Sequence, residues 1–342
     1  MKRNLINVLI VALATMLALS SCKNMDKPVD PTDETKEKNH DLPDKIELTL
    51  YRGHFHGFDL HGSGMMEGQK YFKDVQTIIF KNVPGKGFQI SPEGDQQFAI
   101  LGGISSNKKA SDIVDPATAN WTNETFSPSK VTAAQHQYGL IIKLYNKGEE
   151  ITSQFVTNGQ DKIHQFFFLI KNQKASKYGD QSKEYPNDYR LMNYFYYDTD
   201  PWNETIHGGA KLIGPSNPIG FKGILEFYEP YTQFDLNVKL LHARSSKFDT
   251  PNKKASPFYM MHKQQIARDD TDVNITIPIY VFGDSNEYLN ANKFEEMTES
   301  EKRLVNSLAE ACNISPEEAF HDLWLQINGE PPVHDIDTGY HL

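Results

Sequence analysis

The stretch Arg52-Gly53-His54-Phe55-His56-Gly57-Phe58-Asp59-Leu60-His61-Gly62 carries the densest chemistry in the chain. Its three histidines are spaced His-x-His-x₄-His. Residues i and i+2 of a strand share a face, so His54 and His56 project side by side. Two adjacent imidazoles can share one ion at bonds of ~2.0–2.1 Å. The glycines after them predict a turn that folds His61 back onto the same ion. Neutral imidazole is the commonest protein metal ligand near physiological pH.

Further histidines stand where predicted strands begin or end, on the apolar face. His136 precedes a strand with Tyr138, Leu140, Ile142 and Leu144 inward. His164 shares a face with Phe166, Phe168 and Ile170, and His242 closes the face of Phe234, Leu236, Val238 and Leu240. If Asn146–Gly148 and Asn158–Gly159 each reverse the chain, the strands starting at His136 and His164 run the same way. Their histidines then meet at one end of a sheet. The expected ligands are therefore His54, His56, His61, His136 and His164, with His207 and His242 as further candidates. His40 is expected in a flexible tether with no part in binding. Histidine ligation without thiolates suits zinc first, with copper or nickel as alternatives.

Other chemistries are weaker. Haem could be gripped by His61 or His262 with Met65, Met66, Met260 or Met261, and Tyr194, Phe195, Tyr196 and Tyr197 could stack on it. Asp198-Thr199-Asp200 and Asp335-Ile336-Asp337 offer oxygen ligands but do not match a calcium loop. The aromatic content would also suit a glycan-binding or adhesion module with structural histidines. A secreted zinc hydrolase is a further alternative. Yet the His-x-His patterns of amidohydrolases, metallo-β-lactamases and cupins are not met, and no Gly-x-Ser-x-Gly elbow or phosphate loop occurs. Nothing in the sequence supports catalysis.

The elements that must position these residues read as short strands. They cover Ile46–Arg52, Val75–Lys81, Gln97–Leu101, Gln137–Tyr145, Ile151–Val156, Ile163–Ile170, Met192–Tyr197, Lys222–Tyr228, Phe234–His242 and Asn274–Phe282, with turn signals between them. Helical patterns are missing from this stretch, which predicts an antiparallel β-sandwich or open barrel. The C-terminus differs. Thr298-Glu299-Ser300-Glu301 and Ser315-Pro316-Glu317-Glu318 are capping boxes, each followed by an apolar stripe, and predict an α-helical hairpin. The expected organisation is a signal peptide over 1–21, a lipidated cysteine and tether over 22–44, a ligand-binding β body over 45–290 and the hairpin with its tail over 291–342.

The N-terminus supplies the address. Lys2 and Arg3 precede an apolar run, Ile6 to Leu19, shorter than the ~20 residues of a spanning helix. The run ends in Leu19-Ser20-Ser21-Cys22, which resembles the lipobox of bacterial lipoproteins. That resemblance implies lipid on Cys22 and anchoring to a membrane. Lys23 stands where an aspartate signals inner-membrane retention in some bacteria, so the outer membrane is expected. The N-terminus and general style also loosely resemble surface lipoproteins that Bacteroidetes-type bacteria pair with outer-membrane transporters, which implies such a transporter as partner.

The formal charge is −10, and the mature chain is more acidic still once Lys2 and Arg3 leave. That argues against nucleic acid as a partner. With only two cysteines, and Cys22 assigned to lipid, Cys312 is left alone and thiolate metal sites are excluded.

Overall fold

A computed structural model describes residues 38–62, 68–102, 137–186, 191–214, 216–251, 253–328 and 339–342. The chain divides into two units, Met1–Asn39 and His40–Leu342. The first lies almost wholly outside the described residues, and so does the expected lipidation site Cys22. His136, Met65, Met66, Asp335 and Asp337 also lie outside them.

In chain order the strands are β1 (Lys45–His56), β2 (Asp59–Gly62), β3 (Val75–Val83), β4 (Gly87–Ile90), β5 (Phe98–Gly102), β6 (Gln137–Asn146), β7 (Glu149–Glu150) and β8 (His164–Ala175). They continue as β9 (Met192–Tyr196), β10 (Thr199–Asp200), β11 (Lys211–Leu212), β12 (Lys222–Phe227) and β13 (Thr232–His242). Helix α1 (Lys263–Arg268) leads into β14 (Asp270–Asp284). Helices α2 (Glu299–Cys312) and α3 (Pro316–Asn328) and the short β15 (Tyr340–His341) end the chain.

The protein is mainly β, and its larger sheet curls into a half-barrel. That sheet runs β15-β2-β1-β6-β12-β9, with β3 also on β1. The second sheet runs β5-β14-β13-β8. All its pairs are antiparallel except β14 with β5.

Period-2 alternation explains the core. Ile46, Leu48 and Leu50 point inward from β1, Phe234, Leu236, Val238 and Leu240 from β13, and Val273, Ile275, Ile277 and Ile279 from β14. All are buried in one cluster shared by both sheets. Each such side chain contributes about 1.5–3 kcal/mol through lost contact with water.

The helical hairpin forms as its caps predict. Thr298 and Glu301 make a reciprocal capping box on α2, and the Ser315 hydroxyl accepts from the Glu318 backbone N–H at the start of α3. Leu304, Val305, Leu308 and Leu323 pack on Ala99, Tyr280 and Phe282, so the hairpin covers the outer face of the second sheet. Asp322 fastens it further, its Oδ2 accepting from the backbone N–H groups of Lys70, Tyr71 and Phe72.

One predicted strand is corrected. Ile151–Val156 is not extended: Thr152–Phe155 is a 3₁₀ turn. Ile151 and Phe155 are both buried, a spacing that suits one helical turn as well as a strand. The Leu144 backbone N–H donates to the Thr152 hydroxyl, which fastens this turn against β6. The chain then leaves the large sheet, and β8 begins in the other one. His164 therefore does not share an end with the start of β6, which removes the basis for grouping it with His136.

Candidate functional site

The sequence predicted one histidine centre. Among the described residues the structure builds two, toward opposite ends of β1. Roughly 30 Å of extended chain separates Lys45 from His54, at ~3.3 Å per residue.

The first centre is the β1–β2 hairpin. Gly57 takes φ +65°, a left-handed conformation, and opens the two-residue loop Gly57–Phe58. Such loops twist as the flanking strands do. The register pairs His54 with His61 and His56 with Asp59, so all four side chains share one face. Close approach of the strands requires glycine at position 53, where a Cβ would lie 2.5 Å from the His61 carbonyl oxygen.

His54 Nε2 and His56 Nε2 are 3.0 Å apart. One ligand atom from each of His54, His56 and His61 lies within 4.8 Å of the others, a grouping that could hold a metal ion. His56 is exposed, His54 half-buried and His61 buried. The site thus opens to solvent on one side. The hairpin register brings His61 to the face of His54 and His56.

A neighbouring triad was not foreseen. β15 pairs with β2 and sets His341 opposite His61, with ring centroids 4.8 Å apart. His341 Nδ1 lies 2.9 Å from Asp59 Oδ2. His207, from the segment between β10 and β11, stacks on His341 at 4.3 Å and places Nδ1 3.4 Å from the same carboxylate. Asp59, His207 and His341 form a second grouping that could hold a metal ion. The predicted candidate His207 therefore belongs beside the hairpin site.

The second centre gathers His40, His164, His242 and Asp272. His164 and His242 are register partners on β8 and β13. The expectation that His164 completes the His54 site is overturned, because it lies on the other sheet.

Asp272 arrives through a β-bulge. Leu240 pairs with Val273 and Leu241 with Thr271, so Asp272 is the extra, unpaired residue. A bulge re-aims side chains. Here it turns the carboxylate from the outer parity of Asn274 and Thr276 toward His242.

His40 is packed into the folded body and is not in a tether. Its side chain is fully buried, with its ring 4.1 Å from that of Phe155. Asp41 N donates to Gln154 Oε1 at 2.7 Å, and Asp44 N to the Tyr145 carbonyl at 2.9 Å. The folded body therefore begins at His40.

The contacts of this centre are short and mutual. His242 Nδ1 is 2.9 Å from His164 Nε2, 3.1 Å from His40 Nε2 and 3.1 Å from Asp272 Oδ2. Asp272 Oδ2 is also 3.3 Å from both His40 Nε2 and His164 Nε2. Burial lowers the His164 pKa, against the opposing pull of Asp272, and favours the neutral ring that ligation needs.

Several other candidates have structural roles. Tyr194, Tyr196 and Tyr197 are buried, with Tyr194 stacked on Phe168 at 3.8 Å. His262 caps α1. Asp198 accepts from the backbone N–H groups of Ile219, Gly220 and Lys222. Burial pushes the Cys312 thiol up to about 12, which keeps it protonated and unreactive.

Comparison with models of protein families, with curated proteins and with solved structures finds no match to this chain.

Proposed function

We propose that this chain is a lipid-anchored outer-membrane protein that captures or hands over a transition metal, zinc by preference, at the hairpin face of His54, His56 and His61. The observation that carries this reading is the 3.0 Å separation of the His54 and His56 Nε2 atoms, with His61 in reach, on an open face. Three protein nitrogens with a solvent side leave room for an incoming or departing ligand, which exchange requires. The anchor rests on Leu19-Ser20-Ser21-Cys22, and an outer-membrane transporter is the matching partner.

The test is calorimetric titration of zinc, copper and nickel into the chelator-stripped full chain, wild type beside His54→Ala/His56→Ala. Zinc binding at the open face should vanish in the double variant. Equal binding in both proteins would remove this function.

A second reading is a secreted zinc hydrolase. It is favoured by the Asp59–His207–His341 triad beside the first, with His61 and His341 as neighbours. Two adjoining groupings are what a two-metal hydrolytic site uses. Zinc-dependent turnover of an activated ester, lost in Asp59→Asn, would favour it.

A further inference from the structure

We propose that His40, His164, His242 and Asp272 form a closed structural zinc site, which locks the first residues of the folded body onto the bulged edge of the second sheet. This goes beyond the open-face reading and does not depend on it.

His164 Nδ1 lies 3.0 Å from the Gln160 carbonyl oxygen, and His40 Nδ1 lies 3.0 Å from the Asp41 carbonyl oxygen. A carbonyl only accepts, so each Nδ1 carries the ring proton. In the neutral rings both Nε2 atoms then present lone pairs. These lone pairs face each other's partners, the Asp272 carboxylate and His242 Nδ1. The latter has at most one proton, and that proton can serve one of its three neighbours. Hydrogen bonding alone leaves acceptors crowded against acceptors in a buried place, which is costly. One central cation satisfies all four groups.

Geometry then selects the metal. Five of the six separations between the ligand atoms lie from 2.9 to 3.3 Å. Laid flat, four atoms with these five edges would put the remaining pair more than about 5 Å apart, but all four ligand atoms lie within 4.8 Å of one another, so the set is not planar. A regular tetrahedron with such edges has its centre about 1.9 Å from each vertex, close to the ~2.0–2.1 Å of a zinc–nitrogen bond. Tetrahedral ligation favours zinc over copper(II) and nickel(II), which prefer tetragonal arrangements. The two Nδ1–carbonyl contacts are the outer hydrogen bonds that hold metal-ligating histidines in orientation.

Closure selects the role. Four protein ligands fill a tetrahedral sphere, and the side chains of His40, His164 and Asp272 are fully buried. No position is left for substrate, which marks a structural site. The ligands come from three places distant in sequence: the segment before β1, the β8–β13 pair and the β14 bulge. Binding of the ion therefore couples to folding of the body.

The experiment uses the full chain in the His54→Ala/His56→Ala background, so that the open face contributes nothing. Chelator-stripped protein is titrated with zinc alone, and bound zinc and the thermal midpoint are read. One equivalent should bind, and the midpoint should rise with it. Adding His40→Ala or Asp272→Asn should weaken that binding by more than about 100-fold and abolish the rise. A midpoint that ignores zinc, or rises equally with and without His40, overturns the proposal. Cobalt(II) in the parent protein gives a readout that needs no further variant. The intense visible band of four-coordinate cobalt supports the site, and the weak spectrum of six-coordinate cobalt refutes it.

Discussion

Gly53→Ala should damage metal binding without touching a ligand. A Cβ at position 53 would meet the His61 carbonyl oxygen at 2.5 Å, whereas carbon–oxygen contacts settle at about 3.3–3.6 Å. β2 must then retreat from β1 by roughly 0.8 Å, and His61 moves with it. Metal–ligand distances tolerate about ±0.2 Å, so His61 drops out of reach while His54 and His56 remain. Loss of that ligand should weaken zinc by roughly 10–100-fold, about 1.4–2.7 kcal/mol. The assay is competition against a calibrated chelator. Zinc at the His40–Asp272 centre is an internal control, because β1 separates the two sites. If Gly53→Ala binds zinc at the open face as tightly as wild type, the hairpin geometry does not set the affinity and the reasoning fails.

Three other outcomes are expected. Burial would raise the Glu301 pKa, but hydrogen bonds from Thr298, Asn290 and Ala291 outweigh it and hold the group at about 2. Its stabilisation is complete above the ordinary 4.5 and is lost as pH falls toward 2. Glu301→Gln should therefore cost about 2 kcal/mol near neutrality, with the gap from wild type closing between those pH values in urea melts. Asp322→Ala strands the buried N–H group of Phe72 and loosens α3 from the 70–72 segment; a loss of about 2–3 kcal/mol in the same assay is expected, and none would mean that the hairpin docks by other means. Cys22→Ala should release the protein from membranes without detergent, and a variant that stays fully with the membrane fraction would locate the anchor elsewhere.

Local chemistry was legible in the sequence and long-range convergence was not. Alternation marked β13 and its inward face because each side chain there obeys the pleat. The capping boxes marked α2 and α3 because the partners lie three residues apart. His54, His56 and His61 were readable as a group because one two-residue loop joins them. His341 was missed, since only the pairing of β15 with β2 brings it near. Asp272 was hidden by its parity, which the bulge inverts, and no periodicity reveals a bulge in advance. His40 sat in polar sequence that reads as tether, yet Asp41 and Asp44 tie that segment to the body through backbone bonds. The wrong grouping of His164 with the hairpin came from one strand, Ile151–Val156, that is a 3₁₀ turn.

Metal analysis of the full chain purified from its own membrane, with its visible spectrum taken on the same sample, tests the central claim most directly. The account predicts stoichiometric zinc, at least one equivalent held through purification and a second that a mild chelator removes, with no Soret band. Protein free of stoichiometric transition metal, or a Soret band that identifies haem, would contradict it.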